Sequence, residues 1–204
     1  MLSAWHLDNR EVAAFTADMA ILCFASLAGF PLTRGYLANP YWKNDYFTKQ
    51  LASLRVLPIP VGTLAFSRSL QLLILSPLTM AVFFGVMYIS SEWVRQLPLL
   101  TYISTILVWF GFGNFVGAWH VVKEWGGSGK RYFWSSFAVV LIIILACAAV
   151  WAASGNHLFT GLAELLIRPA AGWTGAAAGV AVTVLSHIWM NWKLRGLLTS
   201  RDFA

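Results

Sequence analysis

Five apolar runs, each close to the roughly 20 residues a helix needs to cross a bilayer, leave this chain few ways to fold. They cover 13–32, 69–90, 99–122, 134–154 and 173–192, with polar or turn-forming residues between them. Hydrophobic residues make up 59% of the sequence and charged residues 11%. A soluble domain carries roughly 25% charged residues. The expected fold class is therefore all-α: one transmembrane domain, 1–204, built as a polytopic helix bundle with five membrane-spanning helices. The first twelve residues hold Asp8 and Glu11 in place of a basic cluster, and no small-residue cleavage site follows, so a cleavable signal is not expected. Cys23 and Cys147 lie in the middle of apolar runs, which suggests buried packing and no disulfide framework.

Orientation follows from the basic residues. With the N-terminus outside, the inner segments hold Arg34, Lys43, Lys49, Arg55, Arg68, Lys123, Lys130, Arg131, Lys193, Arg195 and Arg201. The outer segments hold Arg10, Arg95 and Arg168. Short cytoplasmic loops collect positive charge, so the C-terminus is expected in the cytoplasm. The expected setting is a bacterial cell membrane. The net charge of +6 then reports membrane orientation. Nucleic-acid binding is a poor fit, because the cations are spread over three loops. Trp42, Trp93, Trp125, Trp134, Trp151, Trp173 and Trp192 fall near span ends, where interfacial anchors sit.

Between the first two runs lies an amphipathic segment, 46–68. Phe47, Leu51 and Leu54 recur at i, i+4, i+7, while Lys49, Gln50, Ser53 and Arg55 fall elsewhere around the wheel. Leu57-Pro58-Ile59-Pro60 ends that helix, since proline lacks an amide donor and restricts the residue before it. A second helix starts at Thr63 and flows into the next apolar run. The expectation is a short helix, a rigid elbow and a helix entering the membrane. Such a segment either lies in the headgroup layer or docks on a soluble partner.

The run LASLRVLPIPVGTLAFSRSL, with Leu57, Pro58 and Ile59 at its turn and Ser67-Arg68 before the next span, resembles the cytoplasmic coupling segment of type-2 ATP-binding-cassette exporter membrane subunits. That family has six spans, with this segment between its second and third. It also has short outer helices between its last two spans, where Leu158–Ile167 and Arg168-Pro169 fall here. The present chain offers five spans, and its first matches the family's second. The resemblance implies a permease subunit that exports an amphipathic or hydrophobic substrate. It implies a separate ATP-binding subunit, with ATP and magnesium on that partner, and a second permease subunit completing a homo- or heterodimer. It also implies a coupling face: Leu51, Leu54 and Leu57 as apolar contacts, Lys49 and Arg55 at the rim, and Pro58 and Pro60 stiffening the joint.

The spans contain few polar groups. Asp18 either lies near the outer interface or lines a path. Ser76-Pro77 should kink the second run. In the third, Gly111 precedes Gly113, Asn114 and Gly117; Gly113 and Gly117 form a small-xxx-small pair for close helix approach, and Asn114 needs a polar partner. His120 is expected at the interface. The fourth run is almost featureless, as a lipid-facing wall would be. The fifth carries a second close-packing face at Gly175 and Gly179, then His187 and Asn191 on one helical face. These two form either a proton relay or ligand site, or a satisfied pair at the inner end of the span. Asp18, Asn114, His187 and Asn191 are the candidate path-lining groups.

No catalytic residue and no metal site are expected, and the chain is not read as an enzyme by itself. His6, His120, His157 and His187 are divided between the two sides, and no HExxH motif is present. Gly126-Gly127-Ser128-Gly129-Lys130-Arg131 fails as a phosphate loop, because Glu124 and Arg131 stand where glycine and Ser/Thr are required. The alternative class is a non-transporting scaffold or sensor whose amphipathic segment binds a cytoplasmic regulator.

Overall fold

The computed structural model describes residues 18, 52–54 and 56–200. Lys49, Leu51, Arg55, the 46–51 stretch and, apart from Asp18, the 13–32 span lie outside the described residues. All regular structure among the described residues is helical. The elements are α1 (Val61–Ser90), α2 (Glu92–Arg95), α3 (Leu99–Gly126), α4 (Gly129–Ser154), α5 (Leu158–Leu166) and α6 (Pro169–Ser200). Four of them, α1, α3, α4 and α6, are long and apolar enough to cross a membrane.

Each long helix extends beyond its apolar run, because hydropathy marks the bilayer core while the helical ladder continues into polar flanks. Proline sets two starts. Pro60 precedes α1 and Pro98 precedes α3, each accepting the first backbone bonds of its helix with a carbonyl while having no amide to leave unpaired. Ser91 opens α2 by accepting from the Val94 amide. Ser128 does the same for α4 with Arg131, so the 126–131 turn is a helix connection. Gly155 closes α4 at φ 68°, the left-handed conformation that glycine adopts without a Cβ clash.

The chain runs up and down. The start of α1, the end of α3, the start of α4 and the end of α6 meet at one end of the bundle, here the elbow end. Arg68 bonds Glu124 there, and Leu64 packs with Leu198. The described parts of the three basic segments thus share one end, as the charge distribution requires.

The most extensive contact joins α3 to α6. Its crossing is at Gly111 and Gly179: a Cβ on Gly111 would lie 2.5 Å from the Gly179 carbonyl oxygen, and one on Gly179 would strike the Leu107 backbone. Gly175 faces the Leu166 side chain. Gly175 and Gly179 are therefore packing residues, and Gly111 is the partner that meets Gly179. Gly113 and Gly117 are buried in α3.

Only Gly129 and Tyr132 are buried in α4, which leaves most of that helix as an outer wall, with Cys147 partly exposed on it. At the far end α5 buries Phe159, Ala163 and Leu166 and exposes Leu165, the division expected of an amphipathic helix lying across a bundle end.

Candidate functional site

The elbow comes first along the chain. Residues 52–54 and 56 are helical, Leu57–Pro60 are not, and α1 begins at Val61. Leu54 is partly buried. Val56 is 85% exposed, Leu57 49% and Ile59 37%, and both prolines are exposed. Three apolar side chains thus project from a backbone that proline makes stiff. Val56 did not stand out in the sequence, because it breaks the i, i+4, i+7 pattern.

Two turns into α1, Arg68 turns inward. Its Nη2 donates to Glu124 Oε2 at 2.7 Å and its Nη1 to Gln71 Oε1 at 2.5 Å. Both charges are buried. Arg68 reads in the sequence as an ordinary loop cation; in the fold it crosslinks α1 to α3. Glu124 was visible only as a misplaced residue in a failed phosphate loop.

The next residue begins a second set of contacts. Asn114 Nδ2 donates to the Phe110 carbonyl at 2.8 Å, which aims Oδ1 the other way. That oxygen accepts from Ser76 Oγ at 3.2 Å and faces His187 Nε2 at 3.1 Å. An amide oxygen has no hydrogen to give, so Nε2 must carry the hydrogen. His187 Nδ1 is then the acceptor for the Ser69 hydroxyl at 2.8 Å. Asn191 Nδ2 donates to the His187 carbonyl at 2.9 Å, and Asn191 Oδ1 is buried without a partner. The bonds among Ser69, Ser76, Asn114 and His187 tie three helices together and satisfy both ring nitrogens of a neutral imidazole.

Of the four candidate path-lining groups, the structure brings together Asn114, His187 and Asn191. Asp18 lies elsewhere. Its Oδ2 accepts from the Leu158 amide at 3.1 Å and its Oδ1 from the Phe159 amide at 3.0 Å. His157 Nδ1 is 3.4 Å from Oδ2. A carboxylate on the first free amides of α5 satisfies donors that no helix can satisfy internally and meets the positive end of its dipole. His120, expected at the interface, is buried, with Ser136 Oγ 3.1 Å from its Nδ1 and the Tyr132 ring edge-on.

An apolar groove of about 570 Å³ runs between α1 and α3 in the far half of the bundle. Pro77 and Phe110 stand at its elbow-side end and Tyr88 and Leu99 at the other. Among the described residues, no three His, Cys, Asp or Glu side chains gather as a metal site would require. No family model, curated protein or solved structure matches the chain.

Proposed function

We propose that this chain is the permease subunit of an ATP-driven exporter of the type-2 ATP-binding-cassette kind. The observation that carries the proposal is the elbow: exposed Val56, Leu57 and Ile59 on a proline-stiffened turn continuous with a 30-residue helix. Exposed apolar side chains on a rigid projection suit a hydrophobic groove on a partner. A separate ATP-binding subunit, carrying ATP and magnesium, would grip the turn from the cytoplasm and move α1 as a lever. The short α5 between the last two spans agrees with the outer helices of that family. A second permease subunit would complete the transporter in a bacterial cell membrane, and the cargo would be amphipathic or hydrophobic.

One observation favours the alternative of a non-transporting scaffold or sensor. The Ser69–His187–Asn114–Ser76 contacts satisfy one another and offer little to a passing polar solute. On that reading the elbow binds a regulator without nucleotide.

Affinity recovery of the chain from gently solubilised membranes separates the two. The exporter account expects an ATPase to co-purify, and Val56→Asp with Leu57→Asp to release it while membrane insertion is retained. Recovery of a partner without a nucleotide site would replace the exporter with the scaffold.

A further inference from the structure

Helix α1 is held differently on the two sides of Pro77. On the elbow side Arg68 reaches Glu124, Ser69 reaches His187 and Ser76 reaches Asn114, three polar ties to two other helices. Ala65 and Leu72 are buried there with Val121 and Leu194. On the far side, among the described residues, one such tie joins α1 to another helix: the Tyr102 hydroxyl donates to the Phe84 carbonyl at 2.6 Å. The rest of the described hold is apolar and aromatic packing: Met80, Phe84 and Met87 are buried with Phe83 beside them, and the Phe84 and Tyr88 rings meet Tyr102.

The hydrogen-bond ladder of the helix is also interrupted at that residue. Pro77 has no amide for the Leu73 carbonyl, and its ring crowds the preceding turn. The Thr79 hydroxyl bonds back to the Leu75 and Ser76 carbonyls at 3.1 and 3.0 Å, a pattern that softens and bends helices. Beyond Pro77 there is room. The groove begins there, and a Cβ on Gly85 would meet nothing within 4 Å. Among the described residues, the end of the side-chain-to-side-chain ties, the gap in the ladder and the start of the open space coincide at one residue.

We infer that Pro77 is a hinge. The elbow, the elbow half of α1 and the halves of α3 and α6 tied to it move as one block. The far half of α1 swings about Pro77 and opens or closes the groove it borders. A push on the elbow, whatever delivers it, arrives as a change in groove width. The joint belongs to this chain alone, so it stands or falls separately from the exporter proposal.

Distances between pairs of spin labels test the hinge in the full chain in lipid nanodiscs, with Cys23→Ser and Cys147→Ser removing the native thiols. One pair is Val56→Cys with Thr199→Cys, within the block; the other is Val56→Cys with Ile89→Cys, across the hinge. All three positions are exposed. The inference expects a narrow distribution for the first pair and a broad or two-peaked one for the second. Pro77→Ala should collapse the second to a single narrow peak and leave the first unchanged, which also shows that the variant is folded. Gly85→Leu, filling the groove, should remove the closed component by a different route. A narrow second distribution in the parent chain, a Pro77→Ala variant as broad as the parent, or a first pair as broad as the second would each overturn it.

Discussion

Arg68 and Glu124 meet at 2.7 Å inside the bundle, on two helices and 56 residues apart in sequence. Removing one partner of a buried pair strands the other charge and costs roughly 3–5 kcal/mol, whereas replacing both with apolar residues is often neutral. Glu124→Leu should therefore lower the thermal unfolding midpoint in detergent substantially. Arg68→Met combined with Glu124→Leu should recover most of the loss. A double variant as unstable as the single one would show that the pair does more than satisfy its own charges.

The Gly111–Gly179 crossing has no space for a side chain. Overpacking costs roughly 1–3 kcal/mol where neighbours can shift, and here the obstacle to a Cβ on Gly179 is the Leu107 backbone. Gly179→Val should reach or exceed the upper end of that range. Gly175→Ala should cost less, because the atom it meets is the end of the Leu166 side chain. Thermal unfolding of the two variants gives the order.

Hydrogen bonds between membrane helices average about 0.6 kcal/mol, with about 1.7 at the top. His187→Leu loses the Ser69 and Asn114 contacts and should cost about 1–2 kcal/mol on that scale. It should destabilise less than Glu124→Leu. The reverse order in a side-by-side unfolding experiment would make the imidazole, and not the ion pair, the main fastening of α1.

Asp18 holds the amides of Leu158 and Phe159. Loss of a helix-capping side chain costs roughly 0.5–2 kcal/mol. Asp18→Ala should speed amide hydrogen exchange at the start of α5, with little change at the α3–α6 crossing. Equal acceleration at both places would mean that Asp18 supports the whole bundle.

The sequence made some of this legible and hid the rest for physical reasons. The apolar runs located four described helices because burying a backbone in lipid demands long helical ladders, and Pro58 and Pro60 located the elbow because proline acts locally. An asparagine inside an apolar run needs a polar partner, and Asn114 has two on other helices, Ser76 and His187. Glu124 shows in the sequence only as a mismatch to a phosphate loop: beside Lys123 it looks like a loop charge, and its partner on α1 is not a sequence neighbour. Asp18 offered two readings because its partners lie 140 and 141 residues further on. The i, i+4 rule points to Gly113 with Gly117 and passes over Gly111; only the helix crossing selects Gly111.

The central claim is that the elbow is gripped by an ATP-driven partner. A photo-crosslinking residue at position 56, activated in intact cells that make the full chain, tests it most directly. The account predicts a covalent adduct with a nucleotide-binding ATPase, lost when Leu57→Asp is added. Adducts with lipid alone, or with a protein that binds no nucleotide, would contradict it.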